Sequence, residues 1–228
     1  MGFTALGLRR GGAARKIQFL SSSWTADNVP PSCASLLTIA SKRGLIAGAG
    51  PDALVVASTD STRKAFEHDA GVDSGIVTDF TPDITIPSSR LRHVAFSSGE
   101  DFLIASAETG GGLAIYNVLD LEKKSGPTIQ ISTDNVALRS LVPNPAPQFE
   151  QYVAIVTDTG NLFIADVVQG KLKEIHRDNV ACVAWSAKGK AAVVGLNDGT
   201  AIQYMADGKL MGIIPRPPEI EDGYAGKF

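Results

Sequence analysis

The sequence is poor in the residues that most site chemistry needs. Its 228 residues contain three histidines and two cysteines. His68, His93 and His176 each stand alone, with no ligand partner three to five residues away and no Cys-x-x-Cys nearby, so no metal site of ordinary spacing is written into the chain. Cys33 and Cys182 are far apart in apolar surroundings; buried free thiols are the expected state, with a disulfide as the alternative. Gly48-Ala49-Gly50 lacks the further glycine and the helix of a phosphate loop. Gly-x-Ser-x-Gly is missing, and Val72-Asp73-Ser74-Gly75 resembles only part of it. No cofactor is expected. The net charge of −3 gives no general attraction to nucleic acid or to an anionic membrane. No apolar run approaches the roughly 18–20 residues that span a bilayer, so membrane insertion is not expected. No stretch of ten or more residues shows a strong helical period; the best candidate, Ser61–His68, is short.

What the chain has is a repeat. Asp134-Asn135-Val136-Ala137 returns as Asp178-Asn179-Val180-Ala181, an offset of 44 residues. Val94-Ala95-Phe96-Ser97 matches Val183-Ala184-Trp185-Ser186 at an offset of 89, close to two such periods. Leu37-Thr38-Ile39-Ala40 aligns on the same segment at an offset of 146. The aligned positions are Ile39, Phe96, Leu141 and Trp185, which marks four units. A period near 44 residues, filled with short apolar runs and turn residues, is that of β-propeller blades.

The last unit reads most cleanly. Strands are expected at Val180–Ser186, Ala191–Leu196, Thr200–Met205 and Leu210–Ile214, joined at Lys188-Gly189, Asn197-Asp198-Gly199 and Ala206-Asp207-Gly208. The third unit follows with Val136–Val142, Tyr152–Thr157, Leu162–Val167 and Lys171–Ile175, and its prolines 143, 145 and 147 predict a stiff extended loop. The second has Leu91–Phe96, Phe102–Ala107, Leu113–Val118 and Thr128–Ile131. The first has Leu36–Ala40, Leu45–Ala49 and Leu54–Ser58, with Ser61–Phe66 as a weak outer strand and a polar connection from Glu67 to Arg90. One central strand per unit is apolar on both faces, as stacked sheets require. Trp185 is expected in the core between units.

The fold class is therefore all-β, a WD-type β-propeller with blades near 35–66, 91–131, 136–175 and 180–214. Residues 1–18, with Arg9, Arg10, Arg15 and Lys16 and no acid, are expected as a flexible basic tail rather than an organelle transit peptide. The partial propeller covers 19–215, and 216–228 is a proline-rich acidic tail.

The strings Val180-Ala181-Cys182-Val183-Ala184-Trp185-Ser186-Ala187-Lys188-Gly189-Lys190, Asn197-Asp198-Gly199-Thr200-Ala201-Ile202-Gln203-Tyr204 and Ile213-Ile214-Pro215-Arg216-Pro217-Pro218 resemble one family. It is the N-terminal propeller of the cytoplasmic-filament nucleoporins, fungal members above all. Leu36–Leu45 and Ala49–Ser58 support the resemblance, which runs from about Phe19 to Glu221. It implies a seven-bladed, non-catalytic propeller on the cytoplasmic face of the nuclear pore. Such a propeller docks a DEAD-box RNA helicase during mRNA export, among other nucleoporins as neighbours. Four blades of seven make a partial ring, and each terminal blade would then leave an apolar face bare. If that face is on the order of 500 Å², its exposure forfeits about 12 kcal/mol. This predicts a truncated or split product rather than a self-sufficient domain. The resemblance carries no helicase-binding residue over; Arg216, Glu219, Glu221 and Asp222 are partner-binding candidates from charge and position alone. The alternatives are a WD-type scaffold of another assembly, or a propeller enzyme. The enzyme needs inward-facing metal ligands, for which only Asp166 and Asn117 offer themselves.

Overall fold

The computed structural model describes residues 4–10, 13–18, 29–68, 76–77, 80–123 and 126–215. Strands β1 (Thr4–Arg10) and β2 (Ala13–Gln18) pair antiparallel. The first unit then follows as β3 (Leu37–Ala40), β4 (Leu45–Ala49) and β5 (Ala53–Ser58), helix α1 (Thr59–His68), β6 (Ile76–Val77) and β7 (Ile84–Pro87). The second unit is β8 (Leu91–Phe96), β9 (Phe102–Ala107), β10 (Leu113–Asn117) and β11 (Ile129–Ile131). The third is β12 (Leu138–Pro143), β13 (Tyr152–Thr157), β14 (Leu162–Asp166) and β15 (Lys171–His176). The fourth is β16 (Val180–Trp185), β17 (Ala191–Leu196), β18 (Ala201–Met205) and β19 (Leu210–Ile214).

Each unit is a four-stranded antiparallel sheet, and three of them run in plain meander order. The first breaks the pattern. Its outer strand is β7, paired with β5 in the register Leu54 to Ile86 and Val56 to Ile84. The expected outer strand Ser61–Phe66 is instead part of α1. Ser58 explains why: its Oγ accepts the Ser61 amide at 3.0 Å, the bond of a helix N-cap. The connection from Glu67 to Arg90 thus contains a short strand, the outer strand and the end of a helix. Of the stretch expected as a flexible tail, residues 4–10 and 13–18 are paired strands, and β2 pairs in parallel with β6. The proline loop of the third unit holds one turn of 3-10 helix at Pro147–Phe149.

The sheets stack face against face. Leu54, Val56, Val94 and Leu103 meet between the first and second units. Ile104, Ile115, Leu138, Val153 and Ile155 fill the space between the second and third. Val156, Leu162, Val183, Val194 and Tyr204 do so between the third and fourth. Strands β9 and β13 contribute to both of their neighbours, hence the near-continuous burial along them. Trp185 packs between the third and fourth units and donates from Nε1 to the Val142 carbonyl at 2.9 Å.

The repeated Asp-Asn has a backbone meaning. Asp134 and Asn135 have φ of 52° and 63°, and Asp178 and Asn179 have 58° and 63°. Two successive left-handed residues are tolerated by these short polar side chains far better than by most others. They turn the chain from the outer strand of one unit into the inner strand of the next. Val180 then donates to the Gly160 carbonyl at 3.1 Å, and the Asp178 amide donates to Asn161 Oδ1 at 2.8 Å, fastening that turn to the preceding unit.

The outward face of the first sheet is covered over β4 and β5. Ile46, Val55 and Ala57 are buried there with Phe66 of α1 and Val77 of β6. Leu37 and Ile39 on the inner strand, and Thr85 and Pro87 on the outer one, remain open. The expectation that both terminal faces lie bare therefore fails at this end. It holds at the other, where Val193, Met205 and Ile214 are exposed.

Candidate partner-binding site

A propeller offers its partners two rims, and buried polar bonds tie the units together at each. At the rim where inner strands begin, Arg92 of β8 crosses three units. Its guanidinium donates from Nη1 and Nη2 to the Asp158 carboxylate at 2.6 and 2.9 Å, and from Nη2 to Cys33 Sγ at 3.0 Å. Burial pushes the Arg92 pKa down, but these bonds outweigh it and hold it above the ordinary arginine value. Beside it, His93 shares its Nε2 proton with the Leu138 carbonyl at 2.9 Å. Burial holds His93 below the usual histidine value and therefore neutral; the Leu138 bond opposes that shift, and the Arg92 charge reinforces it. Arg139 continues the series with a bond to the Val180 carbonyl. Inner strands thus meet pairwise around the axis, the first pair through a parallel bridge from Ser35 to His93.

The opposite rim has its own fastenings. Glu100, at φ 68°, accepts the Lys42 and Arg43 amides at 3.1 and 2.8 Å, and Arg43 pairs with Asp101. Glu150 accepts from Ser97 Oγ at 2.9 Å. Asn144, fully buried, donates to the Gly189 carbonyl at 2.8 Å. In the first three units the first hairpin turn is thereby held by the following unit.

Between the outer halves of the first and second units lies an open cleft of about 560 Å³. Pro87, Leu91, Ala105, Gly111, Tyr116 and Pro127 are among the residues that line it. Its lining is neutral, and its only hydroxyls among the described residues are those of Ser88, Ser89, Ser132 and Tyr116.

The four partner-binding candidates, Arg216, Glu219, Glu221 and Asp222, lie outside the described residues. Asp166 and Asn117 are engaged as turn caps. Asp166 Oδ1 accepts the Val168 and Gln169 amides at 3.0 and 2.8 Å, and Asn117 Oδ1 accepts Leu119 at 3.0 Å. No group of three or more His, Cys, Asp or Glu is placed to hold a metal among the described residues. His176 Nδ1 lies 3.1 Å from the Tyr204 hydroxyl, so it packs between units. Both thiols are free, but Cys182 is exposed and Cys33 half-buried, against the expected burial. Of the apolar neighbours of Cys182 only Val183 is buried; Ala181 is exposed beside it at the strand's irregularity. Sequence reasoning missed Arg92. The signal was an Arg-His pair inside an apolar strand, since a buried guanidinium requires a partner.

The family model of the NUP159/214 beta propeller matches residues 30–227. The chain belongs to that family. It is 42% identical over 214 residues to nucleoporin NUP159 of Chaetomium thermophilum, covering 91% of this chain and 14% of that protein. It is 24% identical to the human nuclear pore complex protein Nup214, over 93% of this chain and 10% of that protein. The chain thus spans a small fraction of the length of these relatives. The solved N-terminal domain of Nup159 matches with a TM-score of 0.61 at 16% identity, over 85% of this chain and 47% of that one. A solved complex in which S. cerevisiae Dbp5 is bound to Nup159 and Gle1 matches with a TM-score of 0.62 at 17% identity, again over 85% and 47%. These likenesses give the chain's four sheets the arrangement of propeller blades.

Proposed function

We propose that this chain is part of a non-catalytic binding platform on the cytoplasmic face of the nuclear pore, where it contributes to docking a DEAD-box RNA helicase for mRNA export. The observation that carries the reading is the match to nucleoporin NUP159 across nearly the whole chain. The Dbp5-bound neighbour supports the choice of partner, and other nucleoporins are the expected surroundings. In this reading the four sheets are four WD-type blades of a seven-bladed ring, with the propeller over 19–215. Residues 216–228 form a proline-rich acidic segment whose Arg216, Glu219, Glu221 and Asp222 contribute to the partner contact. The fastened rims suit such a role: rigid turns present a fixed surface, so little ordering free energy is lost on binding.

The test is direct binding of a purified DEAD-box export helicase to this chain, beside a complete nucleoporin propeller. The reading predicts measurable binding by this chain and a loss of tenfold or more when Glu219, Glu221 and Asp222 are changed together to lysine. Binding by the complete propeller with none by this chain would place the helicase contact elsewhere.

A further inference from the structure

Charge on the hairpin-turn rim is distributed unevenly between units. On the first two units its described cations are answered. Arg43 pairs with Asp101, Lys42 Nζ donates to the Ser98 carbonyl at 3.3 Å, and Lys123 pairs with Asp120. Where the outer strand of the third unit meets the fourth, five exposed lysines gather without a carboxylate partner among the described residues, only Lys173 being bonded, to a backbone carbonyl. Lys188 and Lys190 flank the β16–β17 turn, Lys209 sits on the β18–β19 turn, and Lys171 and Lys173 lie on β15.

The backbone bonds show that these turns are neighbours. The Ala206 amide donates to the Lys190 carbonyl at 3.0 Å, which sets one turn beside the other. Lys173 Nζ donates to the Asp207 carbonyl at 2.9 Å, so β15 delivers its charge onto the same place. Lys171, two residues away on the strand, shares that face. Two acids lie in reach, Asp207 and Asp166, each with one oxygen on backbone amides at 3.0 and 2.8 Å, so five lysines against two carboxylates leave a local positive excess. Both turns are rigid. Asn144 holds Gly189 from below, and Gly208 packs against Ile175.

We propose that this corner is a docking surface for an acidic polypeptide segment that also carries apolar side chains. Complementary charge is the first argument, because unpaired lysines in a chain of net negative charge mark a local preference for an anion. The second is the apolar strip that adjoins it. Leu210 follows Lys209 directly and is 60% exposed, and Met211 after it is 54% exposed. A single-stranded nucleic acid would want an aromatic platform for its bases. Both aromatics of this unit are committed inside, Trp185 to the Val142 carbonyl and Tyr204 beside His176. The inference does not rest on the helicase reading and survives its failure.

The experiment titrates a fluorescent peptide of alternating glutamate and leucine into the full chain, read by anisotropy at low and at physiological salt. Changing Lys188, Lys190 and Lys209 together to glutamate is expected to weaken binding tenfold or more. Lys64→Glu, on α1, is expected to leave it unchanged. Binding should also weaken as salt rises, because exposed charges are screened beyond roughly 8 Å at physiological ionic strength. If the triple glutamate variant loses its native melting transition, the corresponding triple glutamine variant takes its place, with the same predicted direction. An equal loss from Lys64→Glu overturns the proposal, since the attraction is then unlocalised. Tighter binding of an oligouridine of matched length, lost with the same three lysines, also overturns it in favour of a nucleic-acid surface.

Discussion

The first and last sheets carry the same four-stranded antiparallel pattern, yet they treat their outward faces differently. On the first, Val55 is 1% exposed because Phe66, Val77 and the helix that carries Phe66 lie over it. On the last, Val193 is 37% exposed and Ile214 likewise. The sheets themselves are equally apolar. What separates them is the insertion between β5 and β7, which folds back as a lid on its own blade. A blade face can thus be sealed by another blade or by a local insertion, and the sequence of the blade alone does not say which.

The largest effect should come from unsealing the covered face. Phe66→Ala removes the aromatic that spans α1 and the sheet and should cost about 3–5 kcal/mol, read as a lower urea midpoint. Val193→Ala on the open face should move the midpoint by no more than about 0.5 kcal/mol. Equal losses at the two positions would break the comparison.

The joints between blades come next. Arg92→Ala leaves Asp158 and Cys33 without their shared donor and should cost about 2 kcal/mol, below the full value for a buried pair because Asp158 is itself half open to solvent. Urea unfolding of Arg92→Ala and Asp158→Asn tests this, the second expected to be milder. Glycine geometry gives a paired test of smaller size. Gly111 has φ 62°, and the Val136 carbonyl and Thr133 hydroxyl occupy the space a Cβ would need, whereas Gly110 at φ 79° has open space. Gly110→Ala should cost about 1 kcal/mol through its left-handed backbone alone; Gly111→Ala should cost more in the same denaturation experiment.

The smallest effect is one of pH. Burial holds His93 below its ordinary value in the folded protein. The neutral-histidine contribution to stability is therefore fully present above the unfolded value, about 6.5. It is lost as pH falls below that value toward the depressed folded one, because the unfolded state binds the proton first. Melting should drop between pH 7 and pH 5, and His93→Gln should flatten part of that slope.

The second, third and fourth units were legible to within a residue or two, because their hairpins are short and Gly160, Gly199 and Gly208 sit where positive φ is required. The first was not, because an insertion separates β7 from its partner β5. The signal was present in Ile84-Thr85-Ile86-Pro87, where buried and exposed positions alternate before a proline. The joint of Arg92 with Asp158 and Cys33 joins residues 66 and 59 apart and leaves no local pattern. Of the partner contact, sequence reasoning weighed only the acidic segment after β19. The lysine corner escaped it because its members come from three separate strands and turns that only the fold brings together.

The central claim is a stack of propeller blades with one outward face sealed and the other open. Maleimide labelling of Val55→Cys and Val193→Cys, each in a Cys182→Ser background, tests it directly. The account predicts that the thiol at position 193 reacts about as fast as Cys182 does in the unaltered chain, and that the thiol at 55 reacts at least a hundredfold more slowly, on the order expected when access requires opening worth about 2.7 kcal/mol or more. Equal rates at the two positions would contradict it.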